Sequence, residues 1–531
     1  MTAEAVTGER RMEAMRQGMV LALWADTKPD EPAIISPHGQ RTFKTLNANA
    51  NRLARALRRK GLQAGDAIAL LSTNRPEFAE VVAATQRSGL RLTPINSHLM
   101  GDEAGYIVAD YEARAVVADT RFAATAAGAV AQAPAAAVRL VVGGDIDGFE
   151  RYDDLVGAED GSDIDDPVLG TNMLYTSGTT GRPKGVDRPR SASPAAVSAA
   201  GTTPSVLASV QTAGDGRTMH LCTGPLYHAA PLALSLAVPL AQGMGVVMMD
   251  GWEAEETLRL IQRHRITHTH MVPTMFHRLL SLPPDVRAGY DVSSLRFVLH
   301  GAAPCPVAVK RRIIEWWGPV VYEYYAATEG GGTFVTSEQW LSRPGTVGKP
   351  ASPELIHILD DTGAEAPVGE VGTIYIKAPE GAAFSYYHDS AKTASAYREG
   401  YFTLGDVGYL DADGYLYVTD RSVNLIISGG VNIYPAEVEA VLITHPAVGD
   451  VAVIGVPNDE WGEEVKAVVE PQAGVEATPP LANELIAWCR DRLASYKCPR
   501  TVDFTSCLPR QDNGKLYKHQ LRAQYRRKIK L

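Results

Sequence analysis

The chain has 531 residues, 45% hydrophobic and 21% charged, with a formal net charge of −10. Such a length exceeds what one hydrophobic core organises and predicts at least two domains. The negative balance argues against a nucleic-acid partner, and the short basic run Arg526-Arg527-Lys528 reads as a solvated helix end.

At the N-terminus Glu4, Glu9, Arg10 and Arg11 precede any apolar run, which is not a secretory signal. Short apolar runs then alternate with helical stretches. Ala67–Leu71 is followed by a helix over Pro76–Ser88, then Leu90–Pro94, Val116–Val117 and Leu140–Val142. This alternation predicts an α/β fold with a largely parallel sheet. The Ala-rich stretch Ala123–Ala137 reads as a surface helix, and the acidic Glu159–Asp166 as an exposed connection. A strand over Asn172–Tyr175 leads into a glycine-rich loop. The longest apolar stretch, around Ala229–Leu240, contains Pro231 and Pro239 and reads as core. No run reaches the roughly 18 residues that cross a bilayer, so no membrane span is expected.

Further on, Ile374–Lys377, Tyr401–Leu404 and Tyr415–Val418 read as strands, with a hairpin signal at Asp411-Ala-Asp-Gly414. Beyond Arg421 the pattern becomes a compact α+β module. It has strands near Leu425–Ile427 and Val451–Ile454 and a helix starting at Pro435, a residue suited to a first helical turn. A second helix carries Leu481, Leu485, Ile486, Cys489 and Leu493. The domain boundary is placed at Arg421–Asn424. The cysteines, Cys222, Cys305, Cys489, Cys498 and Cys507, include no CxxC pair and fit a reducing cytoplasm.

The loop runs Thr176-Ser177-Gly178-Thr179-Thr180-Gly181-Arg182-Pro183-Lys184. Its glycines let backbone approach an anion, successive N–H groups in such turns form an anion-binding concavity, and Lys184 adds charge. Together these suit a polyphosphate. The spacing is not that of a P-loop NTPase, and GxGxxG is absent here. Read alone, a Gly/Ser/Thr stretch is more often a flexible surface loop.

Taken with its neighbours, this loop resembles the phosphate-loop signature of the adenylate-forming superfamily, and the resemblance runs over essentially the whole chain. It implies a large N-terminal domain, residues 1–421, of mixed and parallel sheets packed with helices plus a small β-barrel. A mobile, smaller α+β C-terminal domain, 422–531, would follow. Tyr325-Ala326-Ala327-Thr328-Glu329 resembles the motif whose ring stacks on adenine, whose Thr contacts the α-phosphate and whose Glu holds Mg²⁺. Ala326 stands where the family usually has Gly, so a methyl reshapes the acyl pocket wall. His300-Gly301-Ala302-Ala303-Pro304 resembles the strand-end segment packed on adenine. Asp406, in Tyr401-Phe-Thr-Leu-Gly-Asp406, and Arg421, in Asp420-Arg421, match the residues that reach the ribose. Lys515, in Pro509-Arg-Gln-Asp-Asn-Gly-Lys515, matches the lysine that stabilises charge as a carboxylate attacks the α-phosphorus.

The superfamily's synthetases run two half-reactions with two placements of the small domain. Acid and ATP give acyl-AMP and pyrophosphate. The small domain then rotates, Lys515 leaves, and a thiol attacks the mixed anhydride. Ser428-Gly429-Gly430 resembles the pantetheine tunnel of coenzyme A ligases. Trp461 falls where some place a Trp against the coenzyme A adenine, although a buried structural Trp is the plain alternative. The hinge falls at Val423, where the family usually has Asp or Lys. His228, after Tyr227, is a gate candidate for the acyl site or else a core histidine. Peptide-synthetase adenylation domains carry Asp there, which disfavours an amino acid substrate. The acyl pocket is expected from Met271, Thr274, Gly301, Tyr324 and Ala326, mostly apolar, with no evident cation to pair a second carboxylate. Val186-Asp-Arg-Pro-Arg190 resembles a branch acting on bulky alicyclic acids such as steroid or terpenoid carboxylates; aryl and medium-chain acids are also allowed.

The reading is therefore an ATP-, Mg²⁺- and coenzyme A-dependent acid–CoA ligase. Two alternatives stand beside it: a stand-alone adenylating enzyme that loads a carrier-protein phosphopantetheine, and a non-catalytic adenylate-binding protein. By analogy with relatives a homodimer is allowed.

Overall fold

The computed structural model describes residues 8–176, 183–188, 218–379, 381, 383–458, 460–510 and 514–529. Among them the strands form sheets of eight, six, five, five and three strands. The six-stranded sheet is wholly parallel and centres on Ala67–Leu71, flanked by Arg91–Pro94 and Ala113–Asp119. Every residue of Ala67–Leu71 is buried, as a strand covered on both faces requires.

The eight-stranded sheet aligns Met219–Cys222, His268–Met271, Phe297–His300 and Val321–Ala327 in parallel. Gly330–Val335 closes one edge antiparallel. An antiparallel sheet of Ile356–Leu359, Gly372–Lys377, Tyr397–Arg398, Tyr401–Leu410 and Leu416–Arg421 follows. It shares one core with the three-stranded sheet through Val186, Phe384 and Phe402, which gives the barrel-like corner of the large domain.

The C-terminal strands, Ile426–Ser428, Val431–Ile433, Val448–Asn458, Gly462–Pro471 and Thr501–Phe504, form a sheet of their own. Helices Pro435–Leu442 and Pro479–Arg490 cover it, and Ile426, Val438, Val453, Leu485 and Cys489 make a separate core. Two domains of unequal size result.

Three local readings change. Asn172–Tyr175 is not one strand: Thr171–Asn172 joins the six-stranded sheet and Leu174–Thr176 the three-stranded one, with buried Met173 at the crossing. The Ala-rich segment is a helix only over Ala123–Gln132, a surface helix whose outer face exposes Ala124, Ala127 and Ala131. Ala126, Ala129 and Val130 are buried. Helix Gly101–Asp110 packs so closely that a Cβ on Gly128 would lie 3.0 Å from the Gly101 Cα. Leu493 lies past the end of Pro479–Arg490, though it still packs on that core. Among the described residues no helix is long and apolar enough to cross a membrane.

Candidate active site

A cavity of about 690 Å³ lies where the domains meet. That is the size range of small-molecule sites. Its walls include Thr274, Ala302, Ala303, Pro304, Tyr324, Tyr325 and Ala326 from the large domain. Asp406, Arg421 and Val423 follow, and Gly514 and Lys515 come from the small one.

The parallel strand Phe297–His300 ends in a tight turn at Gly301–Pro304. Gly301 is required there, because a Cβ would sit 2.7 Å from the Tyr324 ring. Ala302 adopts φ +69°, a left-handed conformation that costs an L-residue about 1–2 kcal/mol. Such strain persists where the surroundings hold it, here at the cavity wall.

Strand Val321–Ala327 brings Tyr324, Tyr325 and Ala326 to the same wall. Its register with Gly330–Val335 slips between Tyr325 and Ala326. Gly332, left over by the slip, lies under the Tyr325 ring, where a Cβ would be 3.0 Å from Cδ1. The Tyr325 hydroxyl donates to Asp406 at 2.7 Å. Asp406 faces Arg421 across the antiparallel pair and accepts from its guanidinium at 3.1 Å. Register thus assembles ring, carboxylate and guanidinium.

Thr328 and Glu329 form the two-residue turn between Val321–Ala327 and Gly330–Val335. The Tyr386 hydroxyl donates to Glu329 at 3.0 Å, and Arg188 donates to the Thr328 carbonyl at 2.5 Å. Arg188 is held below its ordinary pKa by burial, with Glu329 opposing. Glu329 suits Mg²⁺, which prefers few carboxylates completed by phosphate oxygens and water. Among the described residues no cluster of three metal-ligating side chains occurs. Glu329 is the carboxylate that this turn offers Mg²⁺.

Lys515 is the most perturbed amine here. Burial first, and then Arg421, press its pKa down to about 8, while Glu329 and Asp406 pull it back. Its loop reaches the large domain through Gly514, at φ +78°, whose Cβ position lies 2.8 Å from Thr274 Oγ1. Only glycine both adopts that backbone and leaves room for the contact.

The glycine-rich loop at Ser177–Gly181 lies outside the described residues, so Ser177, Gly178, Thr179, Thr180 and Gly181 carry no structural account. Its ends are described. Thr176 and Lys184 pair across two antiparallel strands, and Lys184 contacts Asp389 at 3.0 Å. That pair is partly exposed and screened by solvent, so an anion can compete for Lys184.

Other expected residues lie away from the cavity lining. Met271 is fully buried in the sheet core. His228 precedes the π-helical segment Pro231–Ala237, with its ring 4.5 Å from that of Tyr227. Gly429 donates its N–H to the Trp461 carbonyl at 2.8 Å, and Ser428 and Gly430 flank it in the same hairpin. Trp461 is 40% exposed, so it is not a buried structural Trp, and the Arg500 guanidinium lies 5.4 Å from its ring centroid.

Sequence reasoning did not find Tyr386, Asp389 or the contact of Arg188 with Thr328. All three reach the site by pairing of distant strands, and no local pattern announces them.

Two unequal domains closing on one lysine is the architecture of the adenylate-forming class. Comparison with known proteins agrees. The sequence pattern of AMP-binding enzymes matches residues 21–387, and that of the AMP-binding enzyme C-terminal domain matches 437–515. The chain belongs to the AMP-binding enzyme family. It is 34% identical to a feruloyl-CoA synthase of an Amycolatopsis species over 509 residues, covering 94% of this chain and 98% of that one. A 2-succinylbenzoate–CoA ligase of Bacillus licheniformis is 34% identical over 502 residues, with the same coverage of each chain. The structure of the anthranilate CoA ligase AuaEII with anthranoyl-AMP matches at a TM-score of 0.85 and 25% identity, covering 97% of this chain and 98% of that one. The chain is accordingly an AMP-forming acid–thiol ligase, with ATP and coenzyme A as co-substrates.

Proposed function

We propose that the chain activates a hydrophobic carboxylic acid, aryl or bulky alicyclic in preference to a straight medium chain, and transfers it to coenzyme A. The carrying observation is the apolar wall beside Tyr324 and Ala326. Behind that wall, away from the cavity lining, Phe297, Tyr322 and Phe334 stack in series with centroids 4.6 and 5.8 Å apart, next to Leu234 and Leu299, and back it rigidly. Flat or rigid acids suit such a wall. Relatives named for ferulate, 2-succinylbenzoate and indoleacetate support an aryl acid. The Ala326 methyl narrows the passage that glycine would leave.

The residues then divide the work. Tyr325 packs on the adenine, and Asp406 and Arg421 hold the ribose hydroxyls. Thr328 contacts the α-phosphate. Glu329 would hold Mg²⁺, which supplies charge neutralisation on the phosphates. Protonated Lys515 stabilises the charge that develops as the carboxylate oxygen bonds to the α-phosphorus and pyrophosphate departs. Rotation about Val423 then brings Ser428–Gly430 and Trp461 to the acyl-AMP, with His228 gating the acyl end.

Pyrophosphate release with ATP, Mg²⁺ and coenzyme A, over fatty, aryl, steroid and terpenoid acids, tests the reading. Turnover with aryl or alicyclic acids is expected; preference for straight medium-chain acids would overturn the assignment. Free coenzyme A is expected to outcompete a phosphopantetheinylated carrier protein as acceptor.

A further inference from the structure

Lysine is a poor choice for a fixed charge unless something fixes its base, since its side chain carries about 2 kcal/mol of rotamer entropy. In this structure the base of Lys515 is fixed from behind. The Arg510 guanidinium spans Asp450, donating through Nη2 to Oδ1 at 2.7 Å and through Nε to Oδ2. Its remaining nitrogen, Nη1, donates to the Gly514 carbonyl at 2.7 Å. That carbonyl belongs to the peptide joining Gly514 to Lys515. Holding it sets the plane from which the Lys515 side chain departs.

We propose that Arg510 and Asp450 are positioning residues that set Lys515 for acyl-adenylate formation. Asp450 is anchored in the long strand Val448–Asn458, is 8% exposed, and also accepts the Val451 N–H at 2.7 Å. Burial works against the Arg510 charge, and Asp450, with Glu439 and Glu470, more than offsets it. Arg510 and Leu516 bridge antiparallel on either side of the Gly514–Lys515 peptide. From the front, Gly514 meets Val272 and Thr274 of the large domain. On the same helix, Pro273–Leu280, His277 lies beside Gly449 and Asp450. That peptide is therefore clamped between an ion pair in its own domain and a glycine-sized contact in the other. Arg510, Asp450, Gly514, Lys515, Thr274 and His277 all line the junction cavity.

The clamp serves only the arrangement in which Lys515 faces Glu329 and Asp406, so its loss should fall on one half-reaction. The argument rests on the reading of Lys515 as the adenylation group, and the test separates the two. Asp450→Asn keeps shape and removes the charge. Arg510→Lys keeps the charge and cannot span three oxygens. In the full chain each should slow single-turnover acyl-AMP formation by about 10- to 100-fold, the effect of breaking a buried charged hydrogen bond. The KM for ATP should stay within about threefold, and coenzyme A transfer from supplied acyl-AMP within about twofold. Parallel loss of both half-reactions, or an undiminished rate of acyl-AMP formation in Arg510→Lys, overturns the proposal. Lys515→Ala is run beside them. If it abolishes acyl-AMP formation while the other two variants do not, only the clamp falls. If it does not, the reading of Lys515 falls as well.

Discussion

At the scale of single residues the structure turns Lys515 into a titration. Its pKa is near 8 because burial and Arg421 oppose the charge. The proposed work needs the protonated amine. kcat/KM for ATP in acyl-AMP formation should therefore be full well below about pH 8 and fall as pH rises through it. Lys515→Arg keeps its charge and should lack that limb. A wild-type profile flat between about pH 7 and pH 9.5 contradicts the assignment. Asp406 offers a second residue-level test. It takes hydrogen bonds from both Tyr325 and Arg421, so Asp406→Asn should raise the KM for ATP about tenfold or more. Ala326→Gly should shift preference toward bulkier acids by up to about tenfold, read as kcat/KM ratios over an acid series.

At the scale of elements the proposed hinge is the informative piece. Val423 lies in the short 3₁₀ turn Ser422–Asn424, and Arg522 of the C-terminal helix donates to the Val423 and Asn424 carbonyls. Val423→Pro fixes φ and removes a donor. It should slow one half-reaction at least about tenfold more than the other, as measured by pyrophosphate exchange against thioester formation. Equal loss contradicts the hinge at this position. Elements were legible in the sequence where burial imposed a pattern. Ala67–Leu71 is buried on both faces and reads as a continuous apolar run. Pro435 opens its helix at the first turn, as its missing N–H allows. Asn172–Tyr175 was misread as one strand because a chain that changes sheets looks continuous in sequence. The Ala-rich helix is shorter than the Ala-rich stretch because Pro134 stops it after Gln132.

At the scale of the whole molecule the legible part was the order of motifs, and the hidden part was their pairing. Tyr325, Glu329, Asp406, Arg421 and Lys515 each lie in a recognisable local segment. What holds them does not: Tyr386 reaches Glu329 over a separation of 57 residues, and Asp450 reaches Arg510 over 60. Such contacts depend on sheet register and domain placement, which spacing along the chain does not encode. Placing a small-domain lysine among large-domain carboxylates is also why the two-domain arrangement matters to the chemistry. The most direct test is Lys515→Ala, measured in both half-reactions with an acid the wild-type chain accepts. Acyl-AMP formation should fall by about 100-fold or more, while coenzyme A transfer from supplied acyl-AMP persists. Acyl-AMP formation at the wild-type rate in that variant would contradict the account.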